Sequence, residues 1–324
     1  MKKGYLLHPF FFFFFQFSPL QSACAQEVPY VAVTYDFDKA ARLGDNLICY
    51  LHAKWISYKY NIPLLYKPFP HSDEFLFDDL ECRYFFHQSV KEIPVIRGYD
   101  RFQKFRKVLK RDIVFTVPYF PESFGEREVY KKNNGIHFPC FAVDWKEEKF
   151  RGLITEMLKP KKPLKLLDFP NDKLSVAIHV RTGGGFDREG IGEDILFTGK
   201  LPPKKFYLDA LEALQKLLPD QELYFYIFTD DSHPEKLASW IEDHLKNLRT
   251  APFTVGYRIL ENKHDLNILE DMFSMLQFDC LIRPESNFSI IPSLLKDYKI
   301  LIHPLEWYKR KNDLPLVTLK IVKN

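Results

Sequence analysis

His179 and Arg181, followed by three glycines, have the residue types and spacing of a site for a diphosphate. The apolar, β-branched run Ser175–Val180 predicts a buried parallel strand that ends at this pair. Ligands of open α/β sheets lie beyond the carboxyl ends of the strands, and Gly183–Gly185 would let backbone N–H groups approach an anion that Arg181 neutralises. A plain glycine turn with a surface arginine stays open as an alternative.

Two familiar phosphate motifs are excluded by spacing. A P-loop around Gly199-Lys200 needs a glycine at position 194 and a hydroxyl residue at 201, where the chain has Asp194 and Leu201. A dinucleotide fingerprint starting at Gly183 needs a glycine at position 188, which is Arg188. Any phosphate site in this segment is therefore of another type.

Two later loops carry polar groups suited to the same ligand. Asp230 and Asp231 follow an apolar strand, and their carboxylates can accept paired N–H donors of a base or bind a ribose hydroxyl. Ser286, Asn287 and Ser289 lie at an expected helix start, where hydroxyl and N–H groups favour an anion. Helix capping explains both groups equally well at this point.

The elements that position these loops alternate regularly from Leu174 onwards. Strands are predicted at 174–180, 222–228, 253–259, 280–283 and 299–303, and helices at 204–218, 234–245, 266–276 and 287–295. This alternation predicts an α/β fold with a doubly wound parallel sheet whose strand-end loops share one ligand.

The first half is less regular. A strand over Tyr30–Tyr35 and a helix over Leu47–Tyr60, joined by the turn Arg42–Asn46, predict the beginning of a β-α-β unit. The proline- and lysine-rich stretch Lys159–Pro163 breaks the pattern and is our candidate linker. We therefore expect an N-terminal domain over residues 26–163 and a C-terminal nucleotide-binding domain over 164–324.

The N-terminus has the three parts of a secretory signal. Lys2 and Lys3 precede an apolar stretch centred on Phe10–Phe17, and Ala23-Cys24-Ala25 offers a cleavage site, so residues 1–25 form a signal-like segment. An uncleaved anchor that associates with a membrane, or a start codon placed too far upstream, would give the same pattern. Secretory export, a membrane-anchored form and a cytoplasmic or secretory-lumen location all remain open.

Composition and charge indicate which binding partners are not expected. The 324 residues carry a net charge of +3, and no basic stripe is interleaved with aromatic residues, so nucleic acid is not an expected partner. The five cysteines show no spacing for a metal site. Cys49, Cys82, Cys140 and Cys280 would be buried free thiols, or would pair if the protein is exported.

These motifs together resemble the fucosyltransferase superfamily, which contains the Nod-factor and core α-1,6-enzymes and the α-1,2-enzymes. The resemblance depends on His179-Val180-Arg181 with its glycines, Phe228-Thr229-Asp230-Asp231, Ser286-Asn287-Phe288-Ser289 and the early turn Leu43-Gly44-Asp45-Asn46-Leu47. It implies a GT-B architecture of two Rossmann-like, doubly wound domains that face a cleft. It also implies a GDP-fucose donor, a glycan acceptor, inversion at the sugar carbon, and no metal or further cofactor.

The resemblance assigns roles to individual residues. Arg181 would contact the β-phosphate, His179 the nucleoside, Asp230 the guanine, and Ser286 or Ser289 a phosphate. The wider set of expected donor-binding residues adds Gly183, Gly184, Asp231, Asn287, Gly44 and Asn46. Asp187 and Glu189 are the candidate catalytic bases, and Glu189 has the spacing from His179 that the core α-1,6-enzymes use. Thr182 departs from the second arginine of the α-1,2-enzymes, which leaves the linkage open.

Two other functions fit the same residues. A GT-B glycosyltransferase could use a different nucleotide sugar, and a non-catalytic exported protein could keep the fold to bind carbohydrate. The signal-like N-terminus favours the second alternative, because bacterial GDP-sugars are expected in the cytosol.

Overall fold

The computed structural model describes residues 31–37, 39, 41–84, 91–94, 113–117, 143–182, 200–259, 267–306, 310–311, 314–315 and 318–324. Among the sequence predictions, the signal-like segment 1–25 and the candidate site residues Gly183, Gly184, Asp187 and Glu189 lie outside these ranges.

A small parallel sheet forms the centre of the first half. Strand β1 (Val31–Tyr35) pairs with β5 (Ile113–Val117), which pairs in turn with β4 (Lys91–Pro94). Helix α1 (Leu43–Tyr60) covers this sheet, and most of its residues are buried. The remaining described elements of the first half are a parallel pair, β2 (Leu65–Tyr66) and β3 (Cys82–Arg83), a 3₁₀ turn (Ser72–Glu74), α2 (Phe77–Leu80) and α3 (Glu148–Met157).

Helix α1 begins four residues earlier than the sequence predicts. The segment expected to be a turn before the helix forms its first turn instead, with Arg42 in the extended conformation of an N-cap. At the other end Asn61 takes a left-handed conformation (φ 50°) and its N–H bonds to the last helical carbonyls. Pro63 then prevents continuation. The correction places Gly44, Asp45 and Asn46 on a helix.

The predicted linker is not a free connection. The backbone N–H of Leu76 bonds to the carbonyl of Lys159 at 2.9 Å, and the N–H of Lys161 bonds to the carbonyl of Glu74 at 2.8 Å. The Lys161 ammonium also lies 2.8 Å from a carboxylate oxygen of Asp78. These bonds hold the stretch against the first half. The domain limits at 163/164 stay a prediction.

A mixed six-stranded sheet forms the second half. Its strands are β6 (Leu174–Val180), β7 (Leu223–Thr229), β8 (Phe253–Tyr257), β9 (Cys280–Ile282), β10 (Ile300–Glu306) and β13 (Thr318–Lys323). They lie in the order β8-β7-β6-β9-β10-β13, and all neighbours are parallel except β13, which pairs antiparallel with β10. A short antiparallel pair, β11 (Arg310–Lys311) and β12 (Leu314–Pro315), follows β10. The strand order reverses between β6 and β9, which is where such sheets bind ligands.

Helices cover both faces of this sheet. Alternate strand residues such as Ile178 and Phe225 pack with α4 (Lys204–Leu217) and α5 (Pro234–Leu248) on one face. Residues of opposite parity, such as Tyr226 and Leu281, form the other face near α6 (Ile268–Met275). The period-2 alternation of these side chains follows from the pleat of a strand.

The two halves share one apolar core. Leu269 and Met272 of α6, and Ile291 of α7 (Asn287–Leu295), belong to the same buried cluster as α1, α3 and the first sheet. Helices of the second half therefore pack directly on the first half. This packing brings the N-termini of α1 and α7 to the reversal point of the large sheet.

The cysteines that the structure describes form no disulfide with one another. Cys49 and Cys280 are buried and Cys82 is partly exposed, and burial raises the pKa of Cys280 to about 12. Within the described ranges, no helix has both the length and the apolar character that crossing a membrane requires.

Candidate functional site

A pocket lies at the reversal point between β6 and β9, with walls from both halves. Counted together with the solvent at its open mouth, the space is about 680 Å³. Its described lining is Arg42, Leu43, Gly44, Asp45, His179, Arg181, Phe228, Thr229, Asp230, Ile268, Asp271, Ser286, Asn287 and Phe288. The structure thus brings together loops that the sequence predicts to share one ligand.

Arg181 supplies a buried positive charge in this pocket. It directly follows β6 and is only 8% exposed, and its Nη1 donates to the hydroxyl of Ser286 at 3.3 Å. Ser286 is the N-cap residue of α7, and within the described structure its side chain makes no capping bond to that helix. The guanidinium and the first N–H groups of α7 are therefore placed side by side, as an anion site requires.

The N-terminus of α1 meets that of α7 in the same pocket. A Cβ atom at Gly44 would lie 2.5 Å from the backbone nitrogen of Phe288 and 2.7 Å from the carbonyl carbon of Asn287. Only glycine permits this approach of two helices. Across the contact, Asn287 Nδ2 donates to Asp45 Oδ1 at 2.6 Å. Two helix dipoles thus direct their positive ends into one space.

His179 is a neutral polar group in the pocket wall. Burial lowers the pKa of His179 to about 4; Asp230 acts against this shift, and the charges of Arg42 and Arg283 act with it. Its Nδ1 has no hydrogen-bond partner among the described residues, and the Phe288 ring packs edge-on at 5.6 Å between centroids. A neutral imidazole is suited to hydrogen bonding a base or sugar, and not to pairing with a phosphate.

Asp230 is held in place by the residue after Arg181. Its Oδ1 accepts from the backbone N–H of Thr182 at 2.7 Å and from the Thr182 hydroxyl at 3.1 Å. This clamp joins the ends of β6 and β7. Thr182, which stands where the α-1,2-enzymes have a second arginine, thereby fixes the Asp230 carboxylate in the pocket.

Three predicted site residues, Asp231, Ser289 and Asn46, are not part of the described pocket lining. Each of them has a hydrogen-bond partner in the protein. Asp231 Oδ1 accepts from the N–H of His233 before α5 at 2.8 Å, which is the capping alternative. The Ser289 hydroxyl donates to the Ser286 carbonyl at 3.2 Å, and Asn46 Nδ2 donates to the Ala41 carbonyl at 3.3 Å. Donor contacts of these three residues remain predictions that the pocket geometry does not favour.

Sequence reasoning missed three polar residues of the pocket, namely Arg42, Asp45 and Asp271. Asp271 lies inside α6, with Arg258 donating to its Oδ1. Burial raises the pKa of Asp271 to about 6, although the Arg258 guanidinium acts in the opposite direction. The sequence analysis looked for polar residues directly after strands, whereas these three residues lie on a helix or at its start. The one usable sign was that Arg42 and Asp45 lie within two residues of Gly44.

A buried network supports the Ser286 loop from behind. Arg283 Nη1 donates to the Pro284 carbonyl at 3.1 Å and lies 3.4 Å from Glu285 Oε1, which is 3.0 Å from His303 Nδ1. Burial alone would raise the pKa of Glu285, but Arg283 and the His303 hydrogen bond bring it below its usual value. The network fixes the loop that carries the α7 N-terminus. In the part of the chain that the structure describes, no cluster of three His, Cys, Asp or Glu side chains could hold a metal ion.

Comparison with solved structures identifies the fold. A variant of Arabidopsis thaliana FUT1 in complex with GDP matches at 13% identity and a TM-score of 0.51, covering 88% of this chain and 71% of that one. POFUT1 in complex with GDP-fucose matches at 11% identity and a TM-score of 0.42, over 85% and 96% of the two chains. NodZ α-1,6-fucosyltransferase soaked with GDP-fucose matches at 10% identity and a TM-score of 0.47, over 91% and 99%.

Sequence comparisons add nothing to this result. No protein-family model matches the chain, and no curated protein gives a significant match. The similarity to FUT1, at this low identity, shows the fold alone. The predicted α/β class is confirmed, and the chain has the GT-B fold of the fucosyltransferases.

Proposed function

We propose that this protein is an inverting, metal-independent glycosyltransferase that moves fucose from GDP-fucose to a glycan hydroxyl. The observation that carries the proposal is the convergence of Arg181, Ser286 and two helix N-termini at the reversal point of the sheet. The FUT1 structure of the same fold holds GDP. The motif order of the sequence resembles the same enzymes and supports the choice of donor.

The anion site would act on the leaving group. As the sugar departs, negative charge develops on the β-phosphate, where the Arg181 guanidinium and the first N–H groups of α7 are already oriented. Donors that need no reorganisation stabilise such charge best in a water-poor site. Arg181 is buried and hydrogen-bonded, so its guanidinium has little freedom to reorient.

Other groups in the same pocket suit a guanine base. Guanine presents adjacent N–H donors on one edge, and the pocket contains two fixed carboxylates, Asp230 and Asp271, beside a neutral His179. Uracil offers a single ring N–H between two carbonyl groups, which these carboxylates would repel. The pocket chemistry therefore favours a guanine nucleotide over a uracil nucleotide.

Nucleotide selectivity tests the proposal directly. We expect GDP and GDP-fucose to raise the unfolding temperature, with a gain in stability of about 2.7 kcal/mol at a concentration near 100 Kd, whereas UDP and UDP-sugars give little change. A shift with UDP alone would favour a glycosyltransferase with another donor. No shift with any nucleotide would favour the non-catalytic carbohydrate-binding protein.

A change at Asp271 tests the base pocket. If guanine donates to this carboxylate, GDP affinity is full above about pH 6 and falls as pH drops through that value, since the protonated acid is a poorer acceptor. Asp271→Asn removes that part of the pH dependence and weakens GDP binding at pH 7.5. The terminal phosphate of GDP titrates near the same pH. The decisive measurement is therefore the calorimetric difference between wild type and variant across pH 5 to 8, and parallel profiles would contradict the assignment.

The acceptor would approach from the first half, because the donor contacts named above come mainly from the second half.

A further inference from the structure

Glu285 and His303 form a largely buried pair directly behind the anion site. Glu285 precedes Ser286, the N-cap residue of α7, and its Oε1 lies 3.0 Å from Nδ1 of His303 on β10. Each of the two side chains is only 13% exposed. Neither residue belongs to the described pocket lining. Any effect of this pair on a ligand in the pocket must therefore be indirect.

The hydrogen bond between the two side chains has a defined direction. His303 Nδ1 also lies 2.9 Å from the carbonyl oxygen of Pro304, and a carbonyl oxygen can only accept. Nδ1 therefore carries a proton and donates to both oxygens. Burial acts to raise the pKa of Glu285, but Arg283 and His303 bring it below its usual value. The acceptor is thus an ionised carboxylate at neutral pH.

The pair joins the pocket loop to a strand outside the pocket. Strand β9 pairs with β6 on one side and with β10 on the other. Directly after β9, the N–H of Arg283 donates to the Ile302 carbonyl at 3.0 Å. The loop before α7 is therefore held to β10 twice, by the backbone at Arg283 and by the side chain of Glu285.

The second of these attachments lies one residue from the anion site. Because adjacent Cα atoms are about 3.8 Å apart, a shift of Glu285 is passed directly to Ser286. The Ser286 hydroxyl accepts from Arg181 Nη1 at 3.3 Å. The Ser286 carbonyl accepts from the N–H groups of Ser289 and Ile290, with which α7 begins. Groups that bind a ligand must be held within about 0.5 Å of their working positions, so the attachment of Glu285 affects the whole anion site.

We propose that Glu285 and His303 are positioning residues for the diphosphate of the bound nucleotide, an inference that rests on the anion site of the proposed function. Their hydrogen bond fixes Ser286 and the first N–H groups of α7 against Arg181. Without the His303 donor, the Glu285 carboxylate keeps only Arg283, at 3.4 Å. A buried carboxylate held so weakly would shift the loop and repel a nearby phosphate. Binding of the phosphates should then weaken, and binding of the nucleoside should not.

The experiment measures the affinities of GDP, guanosine and inorganic pyrophosphate by calorimetry, with guanosine determined by its competition with GDP. His303→Asn and His303→Gln form a matched pair of amides. The amide nitrogen of Asn is as many bonds from Cα as Nδ1 of histidine, whereas that of Gln corresponds to Nε2. His303→Asn therefore keeps the donor to Glu285, and His303→Gln misplaces it.

We expect His303→Gln to weaken GDP and pyrophosphate binding about 10-fold, as for a lost hydrogen bond to a charged group. Its guanosine affinity should equal that of the wild type, which a general loss of structure would not leave intact. His303→Asn should bind all three ligands like the wild type, and His303→Leu, which has no donor, should repeat the loss. His244→Gln is the control, because His244 of α5 also faces a carboxylate, 3.8 Å away on Glu212 of α4, and no affinity should change.

The inference is overturned by wild-type GDP affinity in His303→Gln, by a parallel loss of guanosine affinity, or by an equal loss in His303→Asn. A wild type that binds pyrophosphate but not GDP contradicts the proposed donor; the inference is then decided by pyrophosphate affinity in the same variants. A wild type that binds neither contradicts both proposals.

Discussion

An Arg181→Ala variant is expected to lose about 10²-fold or more in turnover of GDP-fucose, the loss typical of removing one preorganised donor to a developing negative charge. The guanidinium is buried and bonded to Ser286 at the start of α7, so nothing of similar charge can take its place. Turnover should be measured as GDP release, with GDP affinity determined by calorimetry. Near-normal turnover would remove the main support for a diphosphate at this site.

Arg249 provides the matched control for Arg181. It is also a buried arginine, but its Nη1 donates to the Leu218 carbonyl at 3.3 Å and its other contacts lie around the end of α4, away from the pocket lining. Arg249→Ala should lower the unfolding temperature, because the hydrogen bonds of a buried guanidinium to two carbonyl groups near the end of α4 are lost. Turnover per folded molecule should stay at the wild-type value. Arg181→Lys should recover only part of the activity, since an ammonium cannot make the paired contacts of a guanidinium.

Gly44→Ala is expected to damage both stability and binding. The added methyl group would lie 2.5 to 2.8 Å from backbone atoms of Asn287 and Phe288, so α1 and α7 must separate. Overpacking of this kind costs about 1–3 kcal/mol or more, and the separation also moves the two walls of the pocket. Chemical denaturation and GDP titration should both show the loss.

Gly152→Ala is the control for Gly44→Ala. Gly152 lies in α3 with no atom within 4 Å of an added Cβ. Alanine is the better helix former, so this variant should gain about 0.5–1 kcal/mol of stability and bind GDP like wild type. Loss of stability in both variants would mean that the contact with Phe288 is not the cause.

The second half was largely predictable because local pattern and tertiary role agree there. Apolar strands such as Leu174–Val180 and Leu223–Thr229 alternate with amphipathic helices, and this alternation permits few topologies. The placement of His179, Arg181 and Asp230 at one sheet edge follows from the same pattern. The strand order of the first sheet, β1-β5-β4, and the antiparallel pairing of β13 could not be predicted from the sequence. Strands that pair with partners distant in sequence leave no local signal of that pairing.

The first half shows what sequence reasoning lacked. Gly44 was assigned to donor binding through the family resemblance; the structure places it in the pocket lining and shows that it also permits a close approach of two helices. The sequence also does not show how the candidate linker at Lys159–Pro163 is held. The proline- and lysine-rich stretch lacks a regular apolar pattern, but its sequence does not reveal the backbone hydrogen bonds to Glu74 and Leu76 that hold it.

The shared core has a consequence for how proteins of this architecture can exchange parts. Leu269, Met272 and Ile291 belong to the second half in sequence, yet they complete the hydrophobic interior around α1. A chimera that receives a foreign first half to gain a new acceptor would leave these side chains facing a mismatched surface. Functional exchange therefore requires α6 and α7 to be transplanted together with the segment they cover, so the unit of recombination in this chain is discontinuous.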